Sequence, residues 1–195
     1  MDTYKKNRCN WCLKDPIYVD YHDREWGVPI YNDMKIFESL FLETFQSGLS
    51  WITILKKRKN FRKSFSNFDY EKISFYTNKK LESLMLDESI IRNRLKIHAA
   101  KTNANAFIKI RSEFNTFSEY IWKFTNMKPI NNKIESQSQI PINTILSDKI
   151  SADLKKRGFK FVGSTTVYAF MQAIGMVNDH TTNCFRYKEI SMLDI

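Results

Sequence analysis

One acidic residue, Glu43, stands in the apolar segment 37–45. Phe37, Leu40, Phe41 and Thr44 recur there at the spacing typical of an amphipathic helix with one buried face. A carboxylate in such surroundings costs free energy unless a polar group or a ligand pairs with it. Ser47 and Gly48 weaken the helix and Trp51 follows, which predicts a turn that brings an aromatic side chain beside the carboxylate. We predict that Glu43 and Trp51 line a pocket for a flat, electron-poor ring. The same segment also permits an alternative, in which Glu43 faces water from the edge of the helix.

A second set of residues has the side chains that bind zinc in proteins. His180 and Cys184 are four residues apart, which suits one helical turn or a tight loop around the metal. Cys9, Cys12 and His22 are the candidates for the remaining ligands, and spacing does not decide between Cys9 with Cys12 and Cys9 with His22. Either pair would join the two ends of the chain, and four protein ligands would make the site structural. The alternative is that the cysteines are ordinary small buried residues.

The charge balance favours a polyanionic partner. The 195 residues carry 31 Lys and Arg against 21 Asp and Glu, a formal net charge of +10. Such an excess favours nucleic acid, which releases condensed counterions when it binds a basic surface. A surface that only increases solubility is the alternative that charge alone leaves open.

Length and composition are those of an ordinary globular protein. We expect one domain, 1–195, or two small helical lobes with a pocket between them. Three cysteines are too few for a disulfide framework. No apolar run reaches the length of a membrane span, and the polar start at residues 1–8 is unlike a signal peptide. We therefore expect a cytoplasmic protein with no membrane partner.

The elements that must position these residues are predicted to be helices. Apolar residues recur at spacings of three and four, and no strand alternation of useful length occurs, which predicts an all-α fold. Pro16 suits the first turn of a helix on which Tyr18, Tyr21 and His22 share one face. Residues 126–142 are polar and contain prolines, so we predict a surface loop or a connector there.

Residues 78–110 have the pattern of two helices joined by a tight link at 87–94. This is the shape of a helix-hairpin-helix, in which amides of the hairpin and of the second helix N-terminus meet a phosphate. Arg92, Arg94 and Lys96 would add positive charge beside that phosphate. The link lacks the glycines that usually mark the motif, so an ordinary antiparallel helix pair is the alternative.

Five segments closely resemble the 3-methyladenine DNA glycosylase I family, and the resemblance extends from Cys9 to Cys184. The segments are residues 21–29 (YHDREWGVP), 48–58 (GLSWITILKKR), 156–163 (KRGFKFVG), 170–173 (FMQA) and 177–180 (VNDH). The resemblance implies a helix-hairpin-helix glycosylase fold with the helix-hairpin-helix at 81–107. It also implies a zinc site that joins the N- and C-terminal ends.

The activity implied by the resemblance is excision of N3-methylated adenine from alkylated double-stranded DNA. The products would be free 3-methyladenine and an abasic site. No lysine stands out as a nucleophile, so we predict hydrolysis without strand cleavage. We expect a monomer that associates with the nucleoid through DNA. The rival interpretations are a non-catalytic DNA-binding module with a structural zinc and a zinc hydrolase, which would need an open coordination position.

The resemblance also implies roles for individual residues. The structural Zn²⁺ ligands of the family correspond to Cys9, His22, His180 and Cys184, which leaves Cys12 free. The pocket carboxylate corresponds to Glu43, the predicted catalytic residue. The residues that surround the base correspond to Tyr21, Tyr18, Trp51 and Trp11.

Contact with DNA is predicted at the hairpin and at the turn after Glu43's helix. Leu49, on the Gly48 turn, is placed to enter the gap left by an extruded nucleotide. Two departures from the family pattern occur. Ser89 and Leu95 stand in or beside the hairpin where relatives often have glycine. Thr44–Phe45 replaces a more polar pair, which makes the wall near the pocket acid more apolar.

Overall fold

The computed structural model describes residues 6–193, and helices dominate it, as the all-α prediction requires. The α-helices are α1 (Pro16–Arg24), α2 (Asp33–Gln46), α3 (Trp51–Ser64), α4 (Tyr70–Ser74), α5 (Asn78–Met85), α6 (Arg94–Phe114), α7 (Phe117–Trp122), α8 (Ile145–Lys156), α9 (Ser164–Ala173) and α10 (Phe185–Ser191). Short 3-10 helices lie at Asn10–Cys12, Ser66–Phe68, Lys123–Thr125 and Gln137–Gln139.

Two short strands, which the sequence pattern did not predict, interrupt the helices. The strand β1 (Ile130–Asn131) pairs in parallel with β2 (Val177–Asn178), so the predicted connector at 126–142 is fixed to the segment after α9. Within residues 6–193, no helix combines the length and the apolar character that crossing a bilayer requires.

Side-chain caps explain where the helices that carry the candidate residues begin. Asp15 accepts a hydrogen bond from the Ile17 amide at the start of α1, and Asn32 accepts one from the Lys35 amide at the start of α2. Asn93 caps α6 in the same way. The Gly48 turn, with a positive φ of 80°, separates α2 from α3.

Helix α2 runs through the centre of the apolar core and contacts α3, α6, α7 and α9. Phe37, Phe41 and Phe45 form its buried face, and the rings of Phe41 and Phe45 stack 4.8 Å apart. A second apolar cluster contains Cys9, Tyr21, Trp26, Leu55 and Cys184. The predicted domain bounds, 1–195, include residues 1–5 and 194–195, which lie outside the described residues, as does most of the polar start. The division into one domain or two lobes stays a prediction.

Candidate active site and metal centre

A cavity of about 230 Å³ contains all the residues predicted to surround the substrate ring. Its lining consists of Trp11, Tyr18, Tyr21, Trp26, Glu43, Gln46, Trp51, Ile140, Ala169 and Gln172. These residues come from the N-terminal 3-10 helix, α1, α2, α3 and α9, together with the loops after α1 and before α8. Segments far apart in sequence therefore converge on one acid.

Glu43 is buried, with only 3% of its surface exposed, so the alternative in which it faces water does not hold. Its Oε2 atom has no hydrogen-bond partner among residues 6–193. Burial raises the pKa of Glu43 to about 8. An acid with these properties can pair with a hydrogen-bond donor or a cation of a bound ligand, because residues 6–193 supply no partner for its Oε2 atom.

Aromatic rings surround this acid in edge and tilted contacts. The rings of Tyr21 and Trp51 are 5.5 Å apart, and Trp11 meets Tyr18 edge-on at 5.5 Å and Trp26 at 5.0 Å. The Nε1 atoms of both Trp11 and Trp51 are buried with no acceptor in the described part of the chain. Burial, and after it the negative charge of a nearby glutamate, raises the pKa of Tyr21 well above its ordinary value.

Tyr18 connects the first helix to the start of α3. Its hydroxyl oxygen accepts a hydrogen bond of 3.0 Å from the Ile52 amide, one of the N-terminal amides of α3 that lack an intrahelical acceptor. Because Trp51 is the first residue of α3, this bond fixes the side of the cavity that Tyr18 and Trp51 share.

Sequence reasoning assigned no role to Gln172, which also lines the cavity. Its Nε2 atom donates to Asp179 at 2.8 Å, and Tyr168 and Asn132 donate to the same carboxylate at 2.7 and 2.6 Å. A carboxylate accepts hydrogen bonds, so the amide nitrogen of Gln172 must face Asp179 and its oxygen must point elsewhere. The available signal was that both residues fall in segments that resemble the family.

A larger cavity, of about 560 Å³, shares Tyr21 and Trp51 with the first. Its charged side chains largely pair with each other: Arg58 forms two hydrogen bonds with Glu25, at 2.6 and 2.7 Å, and a second Arg–Glu pair lies nearby. Among residues 6–193, no buried and unpaired acid lines this larger cavity, whereas Glu43 lines the smaller one. The smaller cavity therefore has the features of a reactive site.

The residues predicted to contact DNA lie on exposed segments, with one exception. Residues 47–50 are exposed and carry Leu49, whose exposed fraction is 40%. Arg92 and Arg94 are exposed on the link between α5 and α6 and at the start of α6, where they pair with glutamates. Lys96 differs from the prediction: it is buried, and its ammonium donates to main-chain carbonyls at the end of α2.

The structure brings Cys9, His22, His180 and Cys184 together, with ligand atoms that all lie within 4.8 Å of one another. Cys12 is outside this group, and its Sγ donates to the carbonyl of Cys9. The sulfur–nitrogen distances are 3.7 Å from Cys9 to His180, 3.4 Å from Cys184 to His22 and 3.7 Å from Cys184 to His180. Tetrahedral zinc with ordinary bond lengths separates such atoms by about 3.6 Å.

Each histidine of this group is oriented through its second ring nitrogen. His22 Nδ1 lies 2.8 Å from Asp23, and His180 Nε2 lies 3.0 Å from the carbonyl of Trp26. Both remaining nitrogens therefore face the sulfurs as acceptors, the arrangement that metal-binding histidines have. The donor set fits a buried metal ion, which this group could bind.

Comparison with known proteins agrees with this geometry. A model of the methyladenine glycosylase family matches residues 11–187. The chain is 47% identical to DNA-3-methyladenine glycosylase 1 of Escherichia coli (strain K12) over 180 residues, which is 92% of this chain and 96% of that one. It is 45% identical to DNA-3-methyladenine glycosylase of Haemophilus influenzae over 177 residues, 91% of this chain and 96% of that one. A solved 3-methyladenine DNA glycosylase I from Staphylococcus aureus, in a study of 3-methyladenine recognition, has a TM-score of 0.89 at 36% identity and covers 92% of this chain and 96% of that chain. This chain belongs to the methyladenine glycosylase family.

Proposed function

We propose that this protein hydrolyses the N-glycosidic bond of 3-methyladenine in alkylated double-stranded DNA, releasing the free base and leaving an abasic site. The observation that carries the proposal is the cavity lined by Glu43, Trp11 and Trp51, each of which has a buried polar atom without a partner in residues 6–193. A ring with hydrogen-bonding edges would satisfy these atoms. The activity named for the relatives supports the same substrate.

The lesion itself supplies much of the reactivity. Methylation at N3 gives adenine a positive charge and weakens its bond to the sugar, so the base is a good leaving group. Extruding the nucleotide costs a few kcal/mol, less for a damaged pair than for a sound one. Leu49 is exposed on the turn beside the cavity and is the side chain we assign to the gap left in the duplex.

Selectivity for the damaged base would come from charge. Aromatic faces such as those of Tyr21, Trp51 and Trp11 attract a cationic ring by about 0.5–2 kcal/mol each, and neutral adenine gains little of this. Glu43 would accept hydrogen bonds from the ring, with Tyr18 and Tyr21 positioning it. A cationic base lowers the pKa of a facing acid, so its arrival favours the carboxylate form of Glu43. When the N-glycosidic bond breaks, its electron pair goes to the base, which departs neutral, and positive charge develops on the sugar. A preorganised carboxylate in the site would stabilise that developing charge.

The strand would stay intact after the base leaves. Among residues 6–193, no lysine lines the cavity, so the site offers no amine to form a Schiff base with the sugar. We therefore assign hydrolysis without a lyase step. We further propose that the protein acts as a monomer and binds DNA through its exposed hairpin and turn.

Zinc is the metal we assign to the buried group of Cys9, His22, His180 and Cys184. Two sulfurs and two nitrogens complete a tetrahedron and leave no open position for a substrate, so the ion would stabilise the fold. This argues against the zinc hydrolase alternative. The ion would join the N-terminal segment, with Cys9 before the first 3-10 helix and His22 on α1, to His180 and Cys184 in the segment before α10.

Chromatography of the bases released from methylated duplex DNA tests the proposal. We expect free 3-methyladenine and abasic sites from the wild type, with a large loss of release in Glu43→Gln. DNA binding without base release would instead support the non-catalytic module. Immediate loss of turnover on chelation, with the fold intact, would support a zinc hydrolase.

A further inference from the structure

Lys96 is a buried cation in the first turn of α6, with an exposed fraction of 6%. Its Nζ donates to the carbonyl of Phe45 at 2.8 Å and to the carbonyl of Ser47 at 2.5 Å. These carbonyls belong to the C-terminal end of α2, where main-chain oxygens lack intrahelical donors. One side chain thus satisfies two acceptors at the point where the chain enters the Gly48 turn.

This position is unfavourable for a lysine by two ordinary criteria. Burial disfavours an ammonium and lowers the pKa of Lys96, and a cation at a helix N-terminus opposes the macrodipole. The preceding residue, Leu95, is 70% exposed, so the apolar side chain faces solvent while the charged one is buried. The α2 carbonyls, at the negative end of their own helix, compensate for both penalties.

Through this contact the hairpin and the turn become one unit. The hairpin is the link between α5 and α6, residues 86–93. There, Lys57 of α3 donates to the carbonyls of Glu88 and Ser89 at 3.3 and 3.0 Å. The residues after Gly48 lead directly into α3. Lys96 therefore holds the turn where it leaves α2, and Lys57, further along the helix that follows the turn, holds the hairpin.

We propose that Lys96 is a positioning residue that sets the Gly48–Leu49 turn relative to the hairpin, and that it does so without contacting phosphate. The hairpin grips the DNA backbone while Leu49 fills the gap, so the distance between them decides how well the damaged base is extruded. The inference rests on the proposed function, because it gives the turn a role in extrusion.

Lys96→Met, which removes the donors and keeps a side chain of similar length, tests this in the full-length chain. Three measurements separate the possible roles: affinity for free 3-methyladenine, the salt dependence of duplex binding, and the single-turnover rate of base release. We expect base affinity and salt slope to be unchanged. We expect the release rate to fall roughly 10- to 100-fold, because a small misplacement away from the reacting atoms can cost that much. Lys96→Arg, which keeps charge and donors, should recover part of the loss.

A double-mutant cycle adds a readout that a general loss of structure would not give. In a Leu49→Ala background, Lys96→Met should lower the release rate by less than about twofold, since the side chain that it positions is already gone. Gly48→Ala disturbs the same turn independently, because a φ of 80° strains an alanine there, although the added Cβ would meet no atom of the described residues within 4 Å. It should lower release while base affinity stays constant, and this variant tests the inference if Lys96→Met does not fold.

Several outcomes would overturn the inference. A salt slope reduced by about one unit in Lys96→Met would make Lys96 a phosphate contact. Parallel loss of base affinity and release, full additivity with Leu49→Ala, or an unchanged rate in Gly48→Ala would each remove the positioning role. An active wild type with an equally fast Lys96→Met refutes this inference alone, whereas a wild type that releases no base refutes the proposed function as well.

Discussion

Replacing Glu43 by glutamine should stabilise the folded protein at neutral pH. The pKa of Glu43 rises from its ordinary 4.5 to about 8 in the fold, because burial disfavours the carboxylate. Between these two values the unfolded chain loses the proton and the folded chain retains it. Wild-type stability is therefore highest below the unfolded pKa and falls as the pH rises towards the folded pKa. Glutamine has nearly the same shape and does not ionise, so it removes this dependence.

The size of the effect follows from the same two pKa values. At pH 7 the cost to the wild type is about 2.5 pH units at ~1.4 kcal/mol each, on the order of 3 kcal/mol. For a domain of this length, that energy corresponds to a difference in Tm of roughly 6–12 °C. Glu43, which we assign to base recognition, would thus lower the free energy of unfolding at neutral pH.

Thermal unfolding of both proteins, followed by circular dichroism from about pH 5 to about pH 8, measures this difference. We expect the Tm of Glu43→Gln minus that of the wild type to increase steadily over the range. Glu135→Gln, at an exposed position, is the matched control and should give no such trend. A difference that is constant with pH, or a wild type that is the more stable protein at pH 8, would refute the reasoning.

The remaining predictions concern the proposed metal site, the proposed DNA-binding surface and a tight backbone contact. Cys184→Ser should lower both zinc content and Tm, whereas Cys12→Ser should leave the zinc content unchanged; equal zinc in both variants by metal analysis would exclude the assigned ligands. Arg92→Ala with Arg94→Ala should reduce the salt slope of duplex binding by about one unit per lost phosphate contact, and an unaltered slope would place the DNA elsewhere. Gly175→Ala should cost about 3 kcal/mol or more in denaturant unfolding, because the residue has a φ of +73° and a Cβ would lie 2.4 Å from backbone atoms before α2. Near-native stability would contradict that contact.

Sequence patterns predicted the helices well and the burial of individual charged side chains poorly. The spacing that predicted α2 also fitted an exposed Glu43, because nothing in that segment reveals that Tyr18 and Tyr21 approach from α1. Lys96 and Leu95 show the same limit: their types predict an exposed lysine and a buried leucine, and the structure has the reverse. The cause is a tertiary partner, the carbonyl end of α2, that local sequence does not encode.

For the candidate metal centre, residue types were informative and spacing was not. Both Cys9 with Cys12 and Cys9 with His22 suited a zinc site by sequence distance, and the family resemblance implied the second pair. The described residues bring His22 to the group and turn Cys12 towards a main-chain carbonyl. The spacing of residues in the sequence did not indicate that Gln172 lines the cavity. Its side chain is held there by a hydrogen bond to the buried Asp179, a contact that local sequence does not reveal.

Titration of the protein with free 3-methyladenine, followed by tryptophan fluorescence, tests most directly whether an acid enclosed by aromatic rings recognises the damaged base. Trp11 and Trp51 line the cavity, so binding should change their emission. We expect the wild type to bind 3-methyladenine and to bind adenine far more weakly. At about pH 9, above the Glu43 pKa of about 8, the acid is mainly the carboxylate. A hydrogen bond to that charged group is worth about 1.5–3 kcal/mol, so Glu43→Gln should weaken binding at this pH roughly 10- to 100-fold. Equal affinity of the wild type and Glu43→Gln for 3-methyladenine would contradict the account.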